Sequence, residues 1–367
     1  MKTRNSATPV LLLGFTLSLC FTINLAALNM AGKPQEEPVR IPEKVKTIFQ
    51  EGLITREPRL DIPFTITNHL YLPARENMHS IFFFKVKNAD LGFAPITPAP
   101  VPPEMKEEKE EEKEAPPETE IIPTKLQCNS HVFLQVNRME ENAPGEMVNE
   151  IYMPINFQVE SSSYEPDKEQ LYTTAYPFPP GNYILSMAIA SQNLGKIGTQ
   201  YFEFSLPDPL SSPDGLDTTP VFFVKNIRRM SAPETRAEVH KDFFTYSVLQ
   251  IEANIDRVFS PKDNFEVFFY IFGAQAMETE ETEKYDIEVG FEVFKGDELA
   301  IRFKPGKYQA PLVPQPLHLK QTLIITSGEE QRTETRDLGP GKYTLYLKIS
   351  DKVSGKSETK TIDFEVK

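Results

Sequence analysis

The sequence predicts an all-β protein: two tandem β-sandwich domains following an export leader. Three observations carry that reading. The closing stretch "GPGKYTLYLKISDKVSGKSETKTIDFEV" (Gly339 to Val366) aligns without a gap on "PPGNYILSMAIASQNLGKIGTQYFEFSL" (Pro179 to Leu206). Short runs of alternating apolar and polar residues recur along the chain, broken by acidic loops and by many of its 32 prolines. A sustained 3.6-residue period is scarce, with "EKVKTIFQEGL" from Glu43 the clearest candidate for a short helix.

Taken in order, residues 1–31 read as a signal peptide. Lys2 and Arg4 form a positive start, "PVLLLGFTLSLCFTINLAAL" (Pro9 to Leu28) is apolar, and Ala26, Ala27 and Ala31 are small residues suited to cleavage. An uncleaved anchor is the rival reading. Gly14, Thr16, Ser18, Thr22 and Asn24 dilute the stretch, which favours removal and leaves no stable membrane span afterwards. Leu19 precedes Cys20, which argues against lipidation there, and cleavage leaves Cys128 with no partner for an internal disulfide.

The first domain is placed at 35–208 and the second at 218–367, with "PLSSPDGLD" (Pro209 to Asp217) as linker at 209–217. In the last hairpin Tyr343, Leu345, Leu347 and Ile349 alternate with Thr344, Tyr346, Lys348 and Ser350, the period of a strand with one buried face. Ile362, Phe364 and Val366 repeat the pattern after a turn. In the earlier copy Tyr183, Leu185, Met187 and Ile189 lead to Phe202, Phe204 and Leu206. The Pro-Gly ahead of each copy fits a type II turn, which needs glycine's positive φ. Upstream the similarity is looser: "HSIFFFKVKNA" from His79 resembles "NFEVFFYIFGA" from Asn264 in aromatic-rich strand character, "FTITNHLYL" from Phe64 is set beside "FTYSVLQIEANI" from Phe244, and "HVFLQV" from His131 beside "DIEVGFEVF" from Asp286. The first domain carries an insertion at 94–124. Between Glu104 and Glu120 it holds nine acidic residues and three lysines, a composition expected to stay disordered because it has little to bury.

"PGKYTLYLKISD" resembles the late strand of an immunoglobulin-like sandwich. Tyr183 and Tyr343 stand where that fold places its corner tyrosine, two positions before the second cysteine; Leu185 and Leu345 replace the cysteine. The resemblance implies two tandem immunoglobulin-like β-sandwich domains. It also implies a structural role for Gly181, Tyr183, Gly341 and Tyr343, with each tyrosine hydroxyl bonded to backbone across the corner. More narrowly, the segment is similar to the C-terminal module of bacterial exported proteins of the GWxTD-domain family. The chain has no Trp, so the Gly-Trp-x-Thr-Asp motif that names the family is absent, and no role tied to that motif carries over.

A formal charge of -14 argues against a nucleic-acid partner and against adsorption to an anionic membrane. The five histidines, His69, His79, His131, His240 and His318, are scattered without metal-ligand spacing, and Cys128-x-x-His131 lacks the further ligands zinc needs. "GKS" at Gly355 lacks the upstream glycine of a phosphate loop, Ser350 standing in its place. No cofactor, metal site or catalytic residue is therefore expected. "YEPDKEQLYTTAYPFPPGNY" from Tyr164 concentrates tyrosines, and Tyr164, Tyr172 and Tyr176 are the candidate recognition surface, with core packing the competing role. The expected function is a non-catalytic exported binding or structural protein of the periplasm or cell surface. It would act through sheet edges and loops on a protein or another envelope component. A hydrolase of envelope polymers, with carboxylates not singled out by sequence, is the alternative.

Overall fold

Val45, Ile48, Phe49, Gly52 and Leu53 fall at helical spacing and are the buried residues of α1 (Glu43–Thr55), which starts after Pro42 and ends where Arg56 turns left-handed (φ 61°). The computed structural model describes residues 40–96, 125–141, 143–208, 215–263, 265–277, 284–327 and 330–367. The expected signal peptide at 1–31, the charged run from Glu104 to Glu120 and residues 209–214 of the expected linker lie outside them. Among the described residues no helix is long and apolar enough to cross a membrane.

The rest is β-structure, as expected of an all-β chain. The first half supplies β1 (Phe64–Ala74), β2 (Asn77–Lys87), β3 (Ser130–Glu140), β4 (Ala143–Ile155), β5 (Glu169–Phe178), β6 (Gly181–Ser191) and β7 (Ile197–Leu206). The second half supplies β8 (Phe222–Arg229), β9 (Val239–Lys241), β10 (Phe244–Tyr246), β11 (Leu249–Ala253), β12 (Phe265–Phe272), β13 (Ile287–Lys295), β14 (Glu298–Arg302), β15 (Leu312–Leu317), β16 (Lys320–Ser327), β17 (Glu330–Asp337), β18 (Gly341–Asp351) and β19 (Ser357–Val366). Four sheets hold most of them: a first inner sheet β1-β2-β5-β9, a first outer sheet β7-β6-β3-β4, a second inner sheet β15-β12-β8-β11-β10 and a second outer sheet β19-β18-β13-β14. β16 and β17 pair as a separate hairpin. Ala94–Pro95, placed by sequence inside an insertion expected to stay disordered, instead pair with Gln127 and Leu126 in a small sheet that also takes in Gln158–Glu160. Only 97–124 of that insertion lies outside the described residues.

Apolar side chains are layered between the sheets. Phe82, Phe84, Leu134, Leu185 and Phe204 fill the space between the first inner and outer sheets. Phe223, Val267, Phe291, Leu345 and Phe364 do the same in the second half. A third layer joins the halves: Leu70, Leu72, Ile81 and Phe83 meet Phe222, Val224, Phe244, Ile251, Ala253 and Phe268. The consecutive phenylalanines Phe82, Phe83 and Phe84 are each at most 1 % exposed because β2 is covered on both faces. Phe83 meets Phe244 edge to face across this seam, ring centroids 5.9 Å apart.

Backbone pairing also crosses the repeat boundary. β9 adds to the edge of β5, with Val239 opposite Thr174 and Lys241 opposite Tyr172. Val239 and Phe272 join the first core. Tyr246 Oη donates to Pro73 O at 2.6 Å, and Lys85 pairs with Asp256 at 3.3 Å. Packing and strand pairing thus run between the residues on either side of the expected linker at 209–217, so neither half closes on itself. The upstream correspondence differs in one place from the sequence reading. β8, not the Phe244 run, stands beside β12 as β1 stands beside β2.

The two copies of the closing hairpin superpose in register. Tyr183 lies opposite Phe204 and Tyr343 opposite Phe364, with stacked rings at 5.3 and 5.6 Å. Tyr183 Oη donates to Pro179 O and Tyr343 Oη to Gly339 O, both at 2.7 Å. A cation covers each ring: Arg138 Cζ at 5.7 Å from the Tyr183 centroid and Lys295 Nζ at 5.4 Å from that of Tyr343. Gly181 and Gly341 each hold φ at 150°, a conformation L side chains rarely adopt. This is not the φ near +80° of a type II turn; both glycines already pair in the ladder, opposite Leu206 and Val366, and so are extended.

Candidate functional site

A cleft lined by histidines, carboxylates, an arginine and a tyrosine sits at the seam, where the second half contributes a strand to the first inner sheet. The chain leaves β8 at Arg229, runs through "PETRAE" (Pro233 to Glu238) and enters β9. Val239 turns into the first core, so the next residue, His240, faces the other way. Its ring stacks on Phe243, centroids 4.6 Å apart, and its side chain is 11 % exposed. The cleft has a volume of about 350 Å³ and is lined by His79 and Tyr176 from the first half and by Glu234, Arg236, Glu238 and His240 from the second, among others.

A short network fixes these groups. His240 Nε2 lies 3.0 Å from Glu234 Oε2, and the same carboxylate oxygen accepts from Thr245 Oγ1 at 2.8 Å. The backbone oxygen of Thr245 accepts from His79 Nε2 at 2.9 Å. Burial pushes the His79 pKa down, opposed by that hydrogen bond and by the nearby Glu234 charge. Among the described residues, Glu234, Glu238 and His240 form the one group of three whose ligand atoms all lie within 4.8 Å of one another.

The three tyrosines of the candidate recognition surface are not brought together. Tyr176 is half-buried and lines the cleft. Tyr164 is half-buried elsewhere, its ring 5.4 Å from that of Phe93. Tyr172 is no surface residue: it is 1 % exposed, stacked between Phe84 at 5.7 Å and Phe157 at 5.4 Å, and burial raises its phenol pKa. The alternation of β5 turns it into the first core.

Cys128 and His131 also part company. Cys128 is fully buried in the first core, where burial pushes its thiol up to about 11, while His131 faces outward and contacts Tyr152 Oη at 3.0 Å. The "GKS" at Gly355 lies in the β18–β19 turn, where Gly355 N donates to Asp351 O at 2.9 Å. The signal for the seam cluster was present in sequence as Glu-x-x-x-Glu-x-His within "PETRAEVH". It is obscured by a search for paired histidines or cysteines, and the spacing alone does not say that the three side chains converge. Neither a family model nor a curated protein matches the sequence.

Proposed function

We propose that this is a non-catalytic binding protein of the bacterial cell envelope, exported by its leader and built from two immunoglobulin-like sandwiches. The observation that carries the reading is the duplicated tyrosine corner: the same glycine φ, the same 2.7 Å hydroxyl bond and the same stacked phenylalanine occur in both copies. Chemistry repeated in that way serves the scaffold, since both hydroxyls are bonded to backbone. Binding then falls to edges and loops. β4 stands at the edge of its sheet among the described residues, paired on one side by β3, and carries exposed Glu146, Met147 and Val148. An unpaired strand edge offers backbone N–H and C=O groups to an added strand, and the two apolar side chains beside it supply contact area.

The test is site-specific photo-cross-linking in the native envelope, with the reactive residue at Met147 in one strain and at Lys348 in another. A discrete adduct formed from position 147 and absent from position 348 is the expected result. Turnover of an envelope polymer by the purified chain would overturn the non-catalytic reading in favour of a hydrolase.

A further inference from the structure

We propose that Glu234, Glu238 and His240 bind a divalent first-row transition-metal ion of the zinc class. The ligand atoms lie within 4.8 Å of one another, and ligands about 2.0–2.2 Å from a shared ion stand up to twice that distance apart, so small rotations of exposed side chains complete the set. Two carboxylates this close repel unless a positive charge lies between them. One imidazole nitrogen with two carboxylates suits zinc and its neighbours; calcium prefers an all-oxygen shell, and copper(I) prefers sulfur.

The surroundings resemble those of a ligand site in two further respects. His240 is held by its stack on Phe243 and by β9, so the imidazole is positioned before any ion arrives. Glu234 accepts a hydrogen bond from Thr245 Oγ1, and the Thr245 backbone is bound in turn by His79, which forms the kind of outer shell that orients metal ligands. The cleft of about 350 Å³ leaves room for water in the remaining coordination positions. Arg236 lines the same cleft and is the competing source of positive charge. All three ligands lie between Glu234 and His240, so a bound ion would fix the segment that carries the second half's strand onto the first inner sheet.

The experiment uses the full chain, stripped with a chelator, and titrates it with Zn²⁺ by calorimetry and with Co²⁺ by visible absorption. One ion per chain is expected, with cobalt ligand-field bands that Zn²⁺ displaces. Glu238→Gln is the informative variant, because Glu238 stands apart from the Glu234–Thr245–His240 network and its replacement leaves that network in place. It should weaken binding by at least about tenfold, and His240→Ala should do the same or more. Thermal melts of both variants without metal distinguish lost ligation from lost fold; if His240→Ala unfolds, Glu238→Gln alone decides. A flat isotherm overturns the proposal, as does binding of equal strength in the wild type and Glu238→Gln. Binding that survives Glu238→Gln but disappears with Arg236→Ala also overturns it, because the ligands would then lie elsewhere.

Discussion

The two outer sheets carry closing hairpins of the same register, yet their outer faces are built from opposite materials. On β6 the outward positions are Ile184, Ser186, Ala188 and Ala190, all buried; on β18 the equivalent positions are Thr344, Tyr346, Lys348 and Ser350, all partly or fully exposed. The neighbouring strand follows suit: Ala188 lies opposite Phe133, whereas Lys348 lies opposite Gly290. The cause is α1. Val45, Ile48 and Phe49 pack on Phe133, Ala188, Ala190 and Ile197. The approach is close enough that a Cβ at Gly52 would fall 1.6 Å from Tyr201 Oη, so a side chain there would have to push the Tyr201 ring aside where the helix crosses β7. The second outer face instead carries ion pairs such as Arg302–Glu292 at 2.6 Å and Lys352–Glu288 at 3.0 Å. The two hairpins therefore share the glycine, the tyrosine and the inward face, while the outward face follows whatever covers it.

Exchanging one residue between the faces tests this most severely. Ala188→Lys would bury an unpaired ammonium beneath α1, which should destabilise the chain by about 3–5 kcal/mol or detach the helix. Lys348→Ala removes an exposed side chain and should fall within about 0.5 kcal/mol of the wild type. Denaturant unfolding of the full chain measures both. Equal effects would mean that α1 does not seal the first face.

The sequence held more of this contrast than a repeat alignment extracts. "YTLYLKIS" alternates, while "YILSMAIA" is apolar or small on both faces, the mark of a strand covered twice; the candidate helix at Glu43 supplies the cover. "IFFFKV" and "FEVFFYIF" carry the same mark for the layer between the halves. β9 was not legible. Its three residues, Val239–Lys241, sit in a proline-containing charged stretch that reads locally as loop, and they form a strand only because β5 offers an open edge. The cluster at Glu234, Glu238 and His240 was hidden for the same reason: its convergence depends on β9 docking against a strand more than 60 positions upstream. Tyr172 was a matter of parity. Whether a tyrosine in a strand faces solvent or core depends on register, and composition does not reveal register.

The two halves also differ in how their cores should respond to acid. His69 packs within the aromatic groups of the first core, 4.8 Å from Phe82 and 4.9 Å from Phe204, and its buried Nε2 has no hydrogen-bond partner among the described residues. The two histidines of the second half stand outside its core: His318 is exposed and His240 lines the seam cleft. Burial pushes the His69 pKa down to about 4, from about 6.5 in an unfolded chain. Between those values the unfolded state takes up a proton that the folded state refuses, so stability is at its full level above about pH 6.5 and falls as the pH drops toward 4. The loss should reach at most about 3 kcal/mol. His69→Phe keeps the stacking and removes the titration, so its stability should decline less over that range. Urea midpoints at both ends of the window, for wild type and variant, decide the matter; parallel declines would assign the acid sensitivity to other groups.

The smallest expected difference separates the two tyrosine corners, and it tests how closely the copies match in energy as well as geometry. Tyr343 Oη donates to Gly339 O. Tyr183 Oη makes the equivalent bond, lies 3.3 Å from Pro180 O as well, and accepts from Arg138 Nη2 at 3.5 Å. Removing either hydroxyl while keeping the ring should cost about 0.5–1.5 kcal/mol, with Tyr183→Phe the more damaging because more partners lose a neighbour. The glycines should rank in the same order. Gly181→Ala and Gly341→Ala each place a side chain at φ 150°, a strain of about 1–3 kcal/mol. The new methyl would stand 3.2 Å from Tyr183 Oη in the first corner, where the phenol is fixed by its bond. In the second corner it would stand 3.2 Å from the exposed Lys295 side chain, whose end is held by a long 3.5 Å bond to Pro340 O and its place over the Tyr343 ring, and so yields more easily than a packed phenol. Unfolding curves for the four variants in the full chain give the ranking. Neutral results at both glycines would remove the backbone argument for their presence, and equal results at the two corners would show that the additional contacts of Tyr183 contribute nothing to stability.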